Sequence, residues 1–429
     1  MQLEKKILSK KAIVGVIGLG YVGLPLIVNI QKRGFSTYGF DKNEKKILDI
    51  KKKISHVSDV TKKDLNNLNK KNFFSLSKIK KINKCDVIII CLPTPLTKNL
   101  KPDMSYLQNC CKKILPFLKS HQLLILESTV YPGATEKIFV SQIKKKFDIG
   151  KNFYIGYSPE RVNPGDTKNS NIHKITKVIS GETKICLKYV ELIYKKIFNK
   201  TYKSKNIVTA EFAKLYENSF RSVNISFANQ MKMICDKLKI NINEVIDTCK
   251  TKSFGFTPFY PGPGMGGHCI PIDPLFISWI AHKKSVSSEF IENSRKVNFQ
   301  ITRWIINKIM KYLNQKKNKK ILLLGVTYKK NINDTRESPA FEIIKILKKK
   351  YKALVEYHDP FVPIIKNLRN HDISMRSIKI TPKKIREFDI IILVTDHDNL
   401  NYKLLEKHSN LLVDTRDVVD KNLSNVISL

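Results

Sequence analysis

The residues best suited to covalent chemistry lie in a loop where an aspartate follows a cysteine by four positions. The loop reads Phe259-Tyr-Pro-Gly-Pro-Gly-Met-Gly-Gly-His-Cys-Ile-Pro-Ile-Asp273. Its proline and glycine content excludes an ordinary helix or strand interior and lets the backbone approach a ligand closely. If the chain turns helically at its end, Cys269 and Asp273 share one site. A thiol beside a carboxylate is typical of a covalent nucleophile with an acid–base partner, although Cys269 as a small buried thiol is the alternative.

A second glycine-rich segment has the pattern of a dinucleotide-binding βαβ unit. The buried-strand residues Ile13–Ile17 precede Gly18-Leu-Gly20-Tyr-Val-Gly23, a helix follows from Leu24, and a second strand ends at Asp41. In such a unit the glycines let the backbone meet a pyrophosphate at a helix N-terminus, and the acid accepts hydrogen bonds from the adenosine ribose. An acid at this position favours NAD over NADP, and a turn residue at the end of a strand is the alternative role for Asp41.

The elements that must position these loops alternate between strands and helices on both sides of a helical middle. The pattern predicts α/β structure, with two Rossmann-like doubly wound domains joined by a central region of long helices. Further strands are expected at 86–91, 121–126, 153–157, 354–358, 390–394 and 411–414, with another opening at Lys319. A long helix is expected at 209–236, a second helical stretch at 242–249, and further helices from about 275 to 312. The predicted domains are an N-terminal NAD-binding domain at 1–205, a central helical domain at 206–314 with the cysteine loop, and a C-terminal α/β domain at 315–429.

Polar residues stand where several of the predicted strands end. Thr94, Thr129 and Glu160 each follow a strand of the first α/β region. Because the carboxyl ends of parallel strands line the ligand crevice, these residues are candidates to face cofactor and substrate, and turn formation is their alternative role. Lys214 and Asn218 lie four apart on the long helix and so share one face, as many pairs on helix surfaces do.

Composition and charge limit the classes of protein to which this chain can belong. The chain has 429 residues, with 78 Lys and Arg against 37 acids, and a formal net charge of +41. Such a charge suggests nucleic-acid binding, but the lysines are spread in short runs along the whole chain, which indicates a compositional bias. The eight cysteines show no metal-binding or disulfide spacing, so no metal site is predicted. The chain lacks an N-terminal signal core and membrane-length apolar runs, so we expect a cytoplasmic protein with neither membrane nor nucleic-acid partners.

Together these motifs resemble those of the UDP-glucose/GDP-mannose dehydrogenase family. The resemblance runs from Gly18–Gly23 to Asp414-Thr-Arg416, and its most specific motifs are Gly266-Gly-His-Cys269-Ile-Pro-Ile-Asp273 and Asn333-Asp-Thr-Arg336-Glu-Ser. Members of this family oxidise the C6 alcohol of a nucleotide-linked hexose to the carboxylate with two NAD in succession. The resemblance therefore implies NAD as cofactor and a C-terminal domain that binds the UDP-sugar substrate. It also implies a homodimer, or a dimer-based oligomer, formed through the central helices.

The same resemblance assigns roles to individual residues. Cys269 matches the nucleophile that carries a thiohemiacetal and then a thioester. Lys214 and Asn218 match the positions that hold the oxyanion, and Asp273, Glu160 and Thr129 match the groups that position or activate water and protons. Which carboxylate is the base in each step stays open.

Binding positions follow from the same matching. The implied NAD-binding residues are Gly18, Gly20, Tyr21, Val22, Gly23, Asp41, Lys46, Thr94, Thr129 and Arg336. The implied substrate-binding residues are Glu160, Arg161, Val162, Asn163, Lys214, Asn218, Pro258, Phe259, Tyr260, Pro261, Gly262, Gly266, Lys329 and Arg416.

The substrate is harder to choose. The run from Lys252 to Pro274 resembles the branch that acts on UDP-N-acetyl-D-glucosamine, which serves surface polysaccharide synthesis. The UDP-glucose branch carries an arginine upstream of its glycine stretch, but residues 248–255 contain none. UDP-N-acetyl-D-mannosamine is the alternative substrate, followed by UDP-glucose, with GDP-mannose less favoured. A simple two-electron dehydrogenase or C4 epimerase would need no thiol. A non-catalytic basic protein that binds nucleotides or nucleic acid would need none of the set Cys269, Lys214, Asn218 and Asp273.

Overall fold

The computed structural model describes residues 2–57, 59–161, 175–313, 319–366 and 373–429. Its contacts group the chain into two compact units. Unit 1 comprises Met1–Glu217 with Leu275–Val286, and unit 2 comprises Asn218–Pro274 with Ser287–Leu429. The three-part division at residues 205 and 314 stays a prediction. Among the residues described, no helix combines the length and apolarity needed to cross a bilayer.

Unit 1 is built on one eight-stranded sheet with the order β3-β2-β1-β4-β5-β6-β7-β8. The strands are β1 Ile13–Ile17, β2 Ser36–Asp41, β3 Phe73–Ser75, β4 Val87–Ile90, β5 Leu123–Leu126, β6 Tyr154–Tyr157, β7 Lys177–Gly181 and β8 Thr201–Lys203. The first six strands are parallel in the order 3-2-1-4-5-6, which is the arrangement of a Rossmann domain. Their continuous apolar runs, such as Val87–Ile90, are buried because helices cover both faces of a parallel sheet.

Helices flank this sheet and begin where side chains cap them. They are α1 Gln2–Leu8, α2 Gly23–Lys32, α3 Glu44–Lys51, α4 Lys62–Asn66, α5 Ser105–Ile114, α6 Ser141–Ile143 and α7 Lys184–Ile197. The side chain of Asn43 caps α3 and that of Thr183 caps α7. Short 3₁₀ segments lie at Lys70–Asn72, Leu76–Lys84 and Leu115–Phe117, and a π-helical segment lies at Glu136–Val140.

Long helices dominate the middle of the chain. They are α8 Ile207–Leu238, α9 Ile242–Lys250, α10 Asp273–Lys283 and α11 Glu289–Tyr312. The boundary between the two units falls within α8, between Glu217 and Asn218. The predicted stretch at 275–312 is thus two helices, because Ser285 at a φ of +56° interrupts the helical backbone.

A second, five-stranded parallel sheet lies in unit 2 with the order β10-β9-β13-β14-β15. Its strands are β9 Lys320–Leu324, β10 Leu354–His358, β13 Ile390–Leu393, β14 Leu412–Asp414 and β15 Val426–Ser428, and a small antiparallel pair is formed by β11 Ile364–Ile365 and β12 Met375–Arg376. The helices are α12 Pro339–Tyr351, α13 Pro382–Arg386 and α14 Tyr402–His408. In chain order this sheet reads 2-1-3-4-5, a second doubly wound arrangement. The predicted fold class is confirmed.

Candidate active site

The first glycine loop is fixed to the strand that follows it in sequence. The Gly18 amide donates to the carbonyl of Phe40 at 2.8 Å, and the Leu19 amide donates to Oδ2 of Asp41 at 2.9 Å. Gly18 has a φ of +94°, a conformation that favours glycine. Asp41 is buried, and its Oδ1 accepts from the Asn43 amide at 2.8 Å, so the acid predicted to bind ribose also holds the loop in place.

The other two glycines of this loop differ in the space around them. A Cβ on Gly23, the first residue of α2, would lie 1.9 Å from the Gly18 carbonyl oxygen. A Cβ on Gly20 would meet nothing within 4 Å. Tyr21 and Val22 lie between them, half-buried, and Val22 is the N-cap position of α2. Open space at the start of a ten-residue helix suits a pyrophosphate, so the loop fits the predicted dinucleotide.

One histidine that the sequence did not single out contacts the same loop. His56 donates from Nε2 to the Leu19 carbonyl at 2.7 Å. Burial lowers the pKa of His56, although this hydrogen bond raises it. Lys46, an implied cofactor residue, lies in the first turn of α3, and its amide donates to the Asn43 side chain.

Thr94 and Thr129 lie together beyond the ends of neighbouring strands. Thr94 follows β4 and is buried, and its hydroxyl donates to the Thr129 carbonyl at 2.7 Å. Thr129 follows β5 and is half-buried. Because β4 and β5 are adjacent and parallel, their carboxyl ends bring both threonines to one edge of the sheet, as the sequence predicted for a ligand crevice.

Glu160, beyond β6, belongs to a charged cluster that the sequence did not reveal. Lys177 Nζ lies 3.0 Å from Glu160 Oε2 and 3.0 Å from Glu127 Oε2. We call these three residues the Glu127–Lys177–Glu160 cluster. Arg161, the next implied substrate residue, donates two hydrogen bonds to Glu217, at 3.1 and 2.6 Å. The implied substrate residues Val162 and Asn163 lie outside the described residues.

The cysteine loop ends in a helical turn in unit 2, as the spacing of its thiol and carboxylate suggested. The amides of Ile272 and Asp273 donate to the Cys269 carbonyl at 3.1 and 2.8 Å. Asp273 is buried and starts α10, and the Asn218 side-chain amide donates to its Oδ2 at 2.6 Å. Cys269 is partly exposed. Lys214 lies one helical turn before Asn218 on α8, where it is half-buried.

The glycines of the cysteine loop are required by close packing. A Cβ on Gly266 would lie 2.6 Å from Cβ of Tyr328 and 2.8 Å from the Glu337 carbonyl oxygen. Gly267 has a φ of +90°, and its Cβ would lie 2.9 Å from the Tyr328 ring. The Gly267 amide donates to the Arg336 carbonyl at 2.9 Å. Residues of the Asn333–Arg336 motif therefore hold the cysteine loop.

Side chains from two long helices complete the support of this loop. Asn298 on α11 accepts from the Met265 amide, and Thr302, one turn later, donates to the Pro263 carbonyl at 2.7 Å. Asn229 on α8 accepts from the Gly262 amide at 2.9 Å. None of these supporting residues was predicted from the sequence.

Arg336 and His268 are close enough to influence each other. Arg336 forms a bidentate pair with Asp334, with Nε and Nη2 contacts of 2.9 and 2.6 Å. Burial, and then the Arg336 charge, lower the pKa of His268 to about 4. The imidazole is therefore neutral at neutral pH.

Several implied substrate residues line a cavity of about 190 Å³ in unit 2. Tyr260, Pro261 and Arg416 line it, together with Lys232 and Asn243, which the sequence did not indicate. Tyr260 donates to Asp247 Oδ1 at 2.9 Å, and Arg416 Nε donates to the Val394 carbonyl at 2.7 Å. Burial lowers the pKa of Lys232. Asp247 and Asp417 also line the cavity, so its lining combines two cations with carboxylates and hydrogen-bonding groups. The two cations are the groups that could contact a phosphorylated ligand.

The remaining implied substrate residues also lie in unit 2. A Cβ on Gly262 would lie 2.8 Å from Nη1 of Arg416. Pro258 and Phe259 are half-buried, and the Phe259 ring lies 5.9 Å from that of Phe220. The carbonyl of Lys329 accepts from the Thr327 hydroxyl at 2.8 Å.

Comparison with known proteins shows the family to which the chain belongs. Models of the UDP-glucose/GDP-mannose dehydrogenase family match at residues 12–198 for its NAD-binding domain, 208–300 for its central domain and 322–421 for its UDP-binding domain. A UDP-N-acetyl-D-glucosamine 6-dehydrogenase from Pseudomonas aeruginosa is 32% identical, over 96% of this chain and 98% of that protein. A UDP-N-acetyl-D-mannosamine dehydrogenase from Methanocaldococcus jannaschii is 33% identical, over 98% of this chain and 96% of that protein.

Solved structures show the same likeness. The structure of a UDP-D-ManNAc dehydrogenase from Pyrococcus horikoshii superimposes with a TM-score of 0.84 and 26% identity, covering 97% of this chain and 98% of that one. The family models account for most of the chain, including both glycine loops. The chain therefore belongs to the UDP-glucose/GDP-mannose dehydrogenase family, and it is an NAD-dependent UDP-sugar dehydrogenase.

Proposed function

We propose that this enzyme oxidises C6 of UDP-N-acetyl-D-glucosamine to the carboxylate, in the cytoplasm, for surface polysaccharide synthesis. The observation that carries the four-electron chemistry is the arrangement of Cys269, Asp273 and Asn218. One helical turn joins the partly exposed thiol to the buried carboxylate, and the amide donates to that carboxylate. A two-electron dehydrogenase would not need a nucleophile there.

Each residue has a defined task in this proposal. Two NAD bound in succession would each accept one hydride from C6, first from the alcohol and then from the thiohemiacetal, and each oxidation also releases the hydroxyl proton. The Cys269 thiolate adds to the C6 aldehyde, and the resulting oxyanion takes up a proton to give the thiohemiacetal. Lys214 and the second N–H of the Asn218 amide stabilise the oxyanion. Water then attacks the thioester carbon, and the sulfur leaves as the thiolate while C6 becomes a carboxylate.

Two carboxylates accept the protons released when the thiol and the water react. Asp273 is held by Asn218 and stands one turn from the thiol, which suits it to take the thiol proton. Glu160, with Thr129, orients the attacking water, and Glu160 takes the proton that this water loses. For the cofactor, we assign the backbone from Gly18 to Gly23, with Asp41, Lys46, Thr94 and Arg336.

The nucleotide is assigned to the cavity beside Tyr260 and Arg416. Arg416 and Lys232, which line this cavity, supply positive charge for the diphosphate. Lys329 is assigned to the substrate from the family resemblance alone. Val162 and Asn163, with Arg161, belong to the implied sugar-binding segment. Pro258 to Gly262 and Gly266 contribute the backbone of the substrate loop.

The choice of N-acetylglucosamine rests on the loop sequence. The run from Lys252 to Pro274 resembles that branch, and residues 248–255 lack the arginine of the UDP-glucose branch. Relatives named for N-acetylglucosamine and for N-acetylmannosamine are 32% and 33% identical to this chain. UDP-N-acetyl-D-mannosamine is therefore the second candidate substrate.

The test measures NADH formed per sugar consumed by the purified protein, with UDP-N-acetylglucosamine, UDP-N-acetylmannosamine and UDP-glucose supplied separately. We expect two NADH per UDP-N-acetylglucosamine and little turnover of the others. Two NADH from another of these sugars would keep the chemistry and replace the substrate. One NADH per sugar would contradict the thioester route. No turnover of any sugar would favour a non-catalytic nucleotide-binding protein.

We also infer a homodimer, or an oligomer built from dimers, formed through α8. Phe220, Phe227, Ile234 and Leu238 recur at intervals of seven, seven and four along this helix, and each is at least 45% exposed. These intervals place the side chains along one face, and such an apolar stripe is typical of an interface.

Phe227→Glu should convert the dimer to a monomer in sedimentation velocity, because the charge would be buried between the copies. Asn109→Glu adds the same charge at an exposed position of α5, outside the proposed interface helix, and should leave the dimer intact. A wild-type monomer at micromolar concentration would contradict this inference.

A further inference from the structure

Lys177 is a buried cation that the chemistry above does not use. It is the first residue of β7, and its side chain is only 2% exposed. Its backbone amide donates to the Lys200 carbonyl at 2.9 Å, which fixes the start of the strand. Lysine is almost never fully buried unless it is paired. A buried ammonium group at this position therefore indicates a specific role.

The ammonium lies between two carboxylates of unequal exposure. Nζ is 3.0 Å from Glu127 Oε2 and 3.0 Å from Glu160 Oε2. Glu127 is fully buried, whereas the Glu160 side chain keeps 14% exposure. The Glu127–Lys177–Glu160 cluster thus has a closed end at Glu127 and an open end at Glu160.

Other groups hold the closed end. The Tyr194 hydroxyl donates to Glu127 Oε1, and Lys177 Nζ also lies 5.4 Å from the centre of the Tyr194 ring and 5.1 Å from that of Phe198. The buried thiol of Cys91 also interacts electrostatically with Glu127, Lys177 and Glu160. The aromatic rings favour the charged ammonium, so Lys177 is a fixed positive point in a largely apolar setting.

At the open end, the Glu160 carboxylate is oriented by two donors. Oε1 accepts from the Arg161 amide at 2.7 Å, and Oε2 accepts from Lys177. A carboxylate that receives one donor on each oxygen has a restricted orientation. A cation in contact also favours its ionised form, which is the form that accepts a proton.

The charges of the cluster are coupled. Burial raises the pKa of Glu127 to about 7, although Lys177 lowers it. Burial alone would lower the pKa of Lys177, but the two carboxylates reverse this effect, and its pKa is raised. Lys177 is therefore the permanent cation, and Glu127 is a carboxylate whose charge changes near neutral pH. A buried ion pair seldom adds much stability, so stability alone does not explain the cluster.

We propose that Lys177 is a positioning residue that holds Glu160 as an oriented, ionised proton acceptor, and that Glu127 is its buried counter-charge. The inference rests on the proposed function, in which Glu160 takes a proton from the attacking water. When Glu127 is ionised, it competes with Glu160 for the charge of Lys177. Removing Lys177 should therefore make Glu160 harder to ionise, and removing the charge of Glu127 should make it easier to ionise.

The test compares pH–rate profiles of acid formation in Lys177→Met and Glu127→Gln. In Lys177→Met the acidic limb should move to higher pH by about one unit or more, because Glu160 loses its cation. In Glu127→Gln the same limb should move to lower pH, because Lys177 then serves Glu160 alone. Lys177→Arg, which keeps the charge, should restore the limb of Lys177→Met toward the wild-type position. Shifts in the same direction, or none, would overturn the proposal.

Two further variants serve as controls. One keeps the cluster free of an unpaired buried charge, and the other tests the effect of losing a surface charge. The double variant Lys177→Met with Glu127→Gln removes one charge of each sign, and its limb should still move to higher pH. Lys188→Met is the matched control, because Lys188 forms an exposed pair with Glu4 at 2.9 Å on the same unit. Its profile should equal that of the wild type.

A second measurement separates this inference from the proposed function. Infrared titration of protein labelled with ¹³C-glutamate, with Glu160→Gln as the reference, locates the titration of Glu160 without turnover. A wild type that oxidises no sugar, with the Glu160 titration displaced in opposite directions by the two variants, would refute only the proposed function. An active wild type whose Glu160 titration is not displaced would refute only the role of Lys177.

Discussion

The two glycine-rich loops of this enzyme are held in place by different means. The loop from Gly18 to Gly23 is held mainly within one supersecondary unit, since its contacts to Phe40 and Asp41 come from the strand that completes the same βαβ unit. The cysteine loop is fixed by remote residues, among them Asn229 and Asn298 on two long helices.

The two loops therefore show two ways of positioning a functional segment, one within a supersecondary unit and one by several elements of the fold. The first loop is held mainly by its own supersecondary unit, with one further hydrogen bond from His56, and its backbone groups are placed to bind a dinucleotide. The second must place the Cys269 thiol and the Asp273 carboxylate for one particular reaction, and several elements constrain it. We therefore expect changes in the first loop to act on cofactor binding and changes in the second to act on chemistry.

The largest effect should come from Cys269→Ala, which removes the chemistry of the second loop and leaves the first loop intact. Acid formation should fall by about 10⁴-fold or more, because no thioester can form. The dissociation constant for NAD should not change, since the glycine loop is untouched. Acid product is measured by ion-exchange chromatography, and NAD affinity by calorimetry. Cys249→Ala is the control, because this cysteine is exposed on α9. Acid production by Cys269→Ala at the wild-type rate would remove the covalent mechanism.

A pair of alanine substitutions tests the first loop. Gly23→Ala places a Cβ 1.9 Å from a backbone oxygen, so the loop must shift. We expect it to lose about 1–3 kcal/mol of unfolding free energy, and to bind NAD about 100-fold more weakly.

Gly20→Ala provides the contrast in the same loop. Its Cβ meets no protein atom within 4 Å, so stability should stay within about 0.5 kcal/mol of the wild type. NAD binding should still weaken, because the methyl group occupies the space that the pyrophosphate needs. Equal losses of stability in both variants, measured by urea denaturation, would contradict this difference.

Opposite pH dependences should also distinguish the two units. In unit 2 the pKa of His268 falls from 6.5 to about 4 on folding, so the unfolded chain binds more protons between these values. Stability from this group is complete above pH 6.5 and is lost as the pH falls toward 4, by up to about 3 kcal/mol. In unit 1 the pKa of Glu127 rises from 4.5 to about 7, so stability from that group falls as the pH rises through this window.

Substitution by glutamine isolates each contribution. His268→Gln should make unfolding free energy between pH 4 and 6.5 rise less steeply with pH than in the wild type. Glu127→Gln should make it rise more steeply between pH 4.5 and 7. Urea denaturation at several pH values gives both slopes, and slopes that change in the same direction would contradict the assignment.

The same contrast explains what could be predicted from the sequence. The βαβ unit, the strand runs such as Val87–Ile90 and the long helix α8 follow from local patterns of burial and turn residues. The proximity of Cys269 and Asp273 was also accessible, because their motif is contiguous and one helical turn joins them. Strands β3, β7, β8, β11, β12 and β15 were missed, since none of them contains a run of four apolar residues such as Val87–Ile90.

Residues that act at long range could not be predicted. Lys177 is one of 78 lysines and arginines, and no local pattern distinguishes a buried lysine from those on solvated faces. Asn229 and Asn298 face inward only because helices and the cysteine loop pack together, and their sequence neighbours resemble those of exposed asparagines. These positions depend on tertiary packing, which sequence spacing does not encode.

Loss of one residue that supports the second loop should reduce catalysis much less than loss of Cys269 does. Asn298→Ala leaves the buried Met265 amide without its side-chain acceptor, which costs about 1–3 kcal/mol of unfolding free energy. Because the loop then loses one of its remote supports, we expect kcat to fall by about 10- to 100-fold through misplacement of Cys269. The dissociation constant for NAD should not change. Asn293→Ala, at an exposed position of the same helix, should change the unfolding free energy by no more than about 0.5 kcal/mol and should leave kcat unchanged. If Asn298→Ala weakened NAD binding as strongly as it lowers kcat, the two loops would not be independently supported, and the separation of cofactor binding from chemistry would fail.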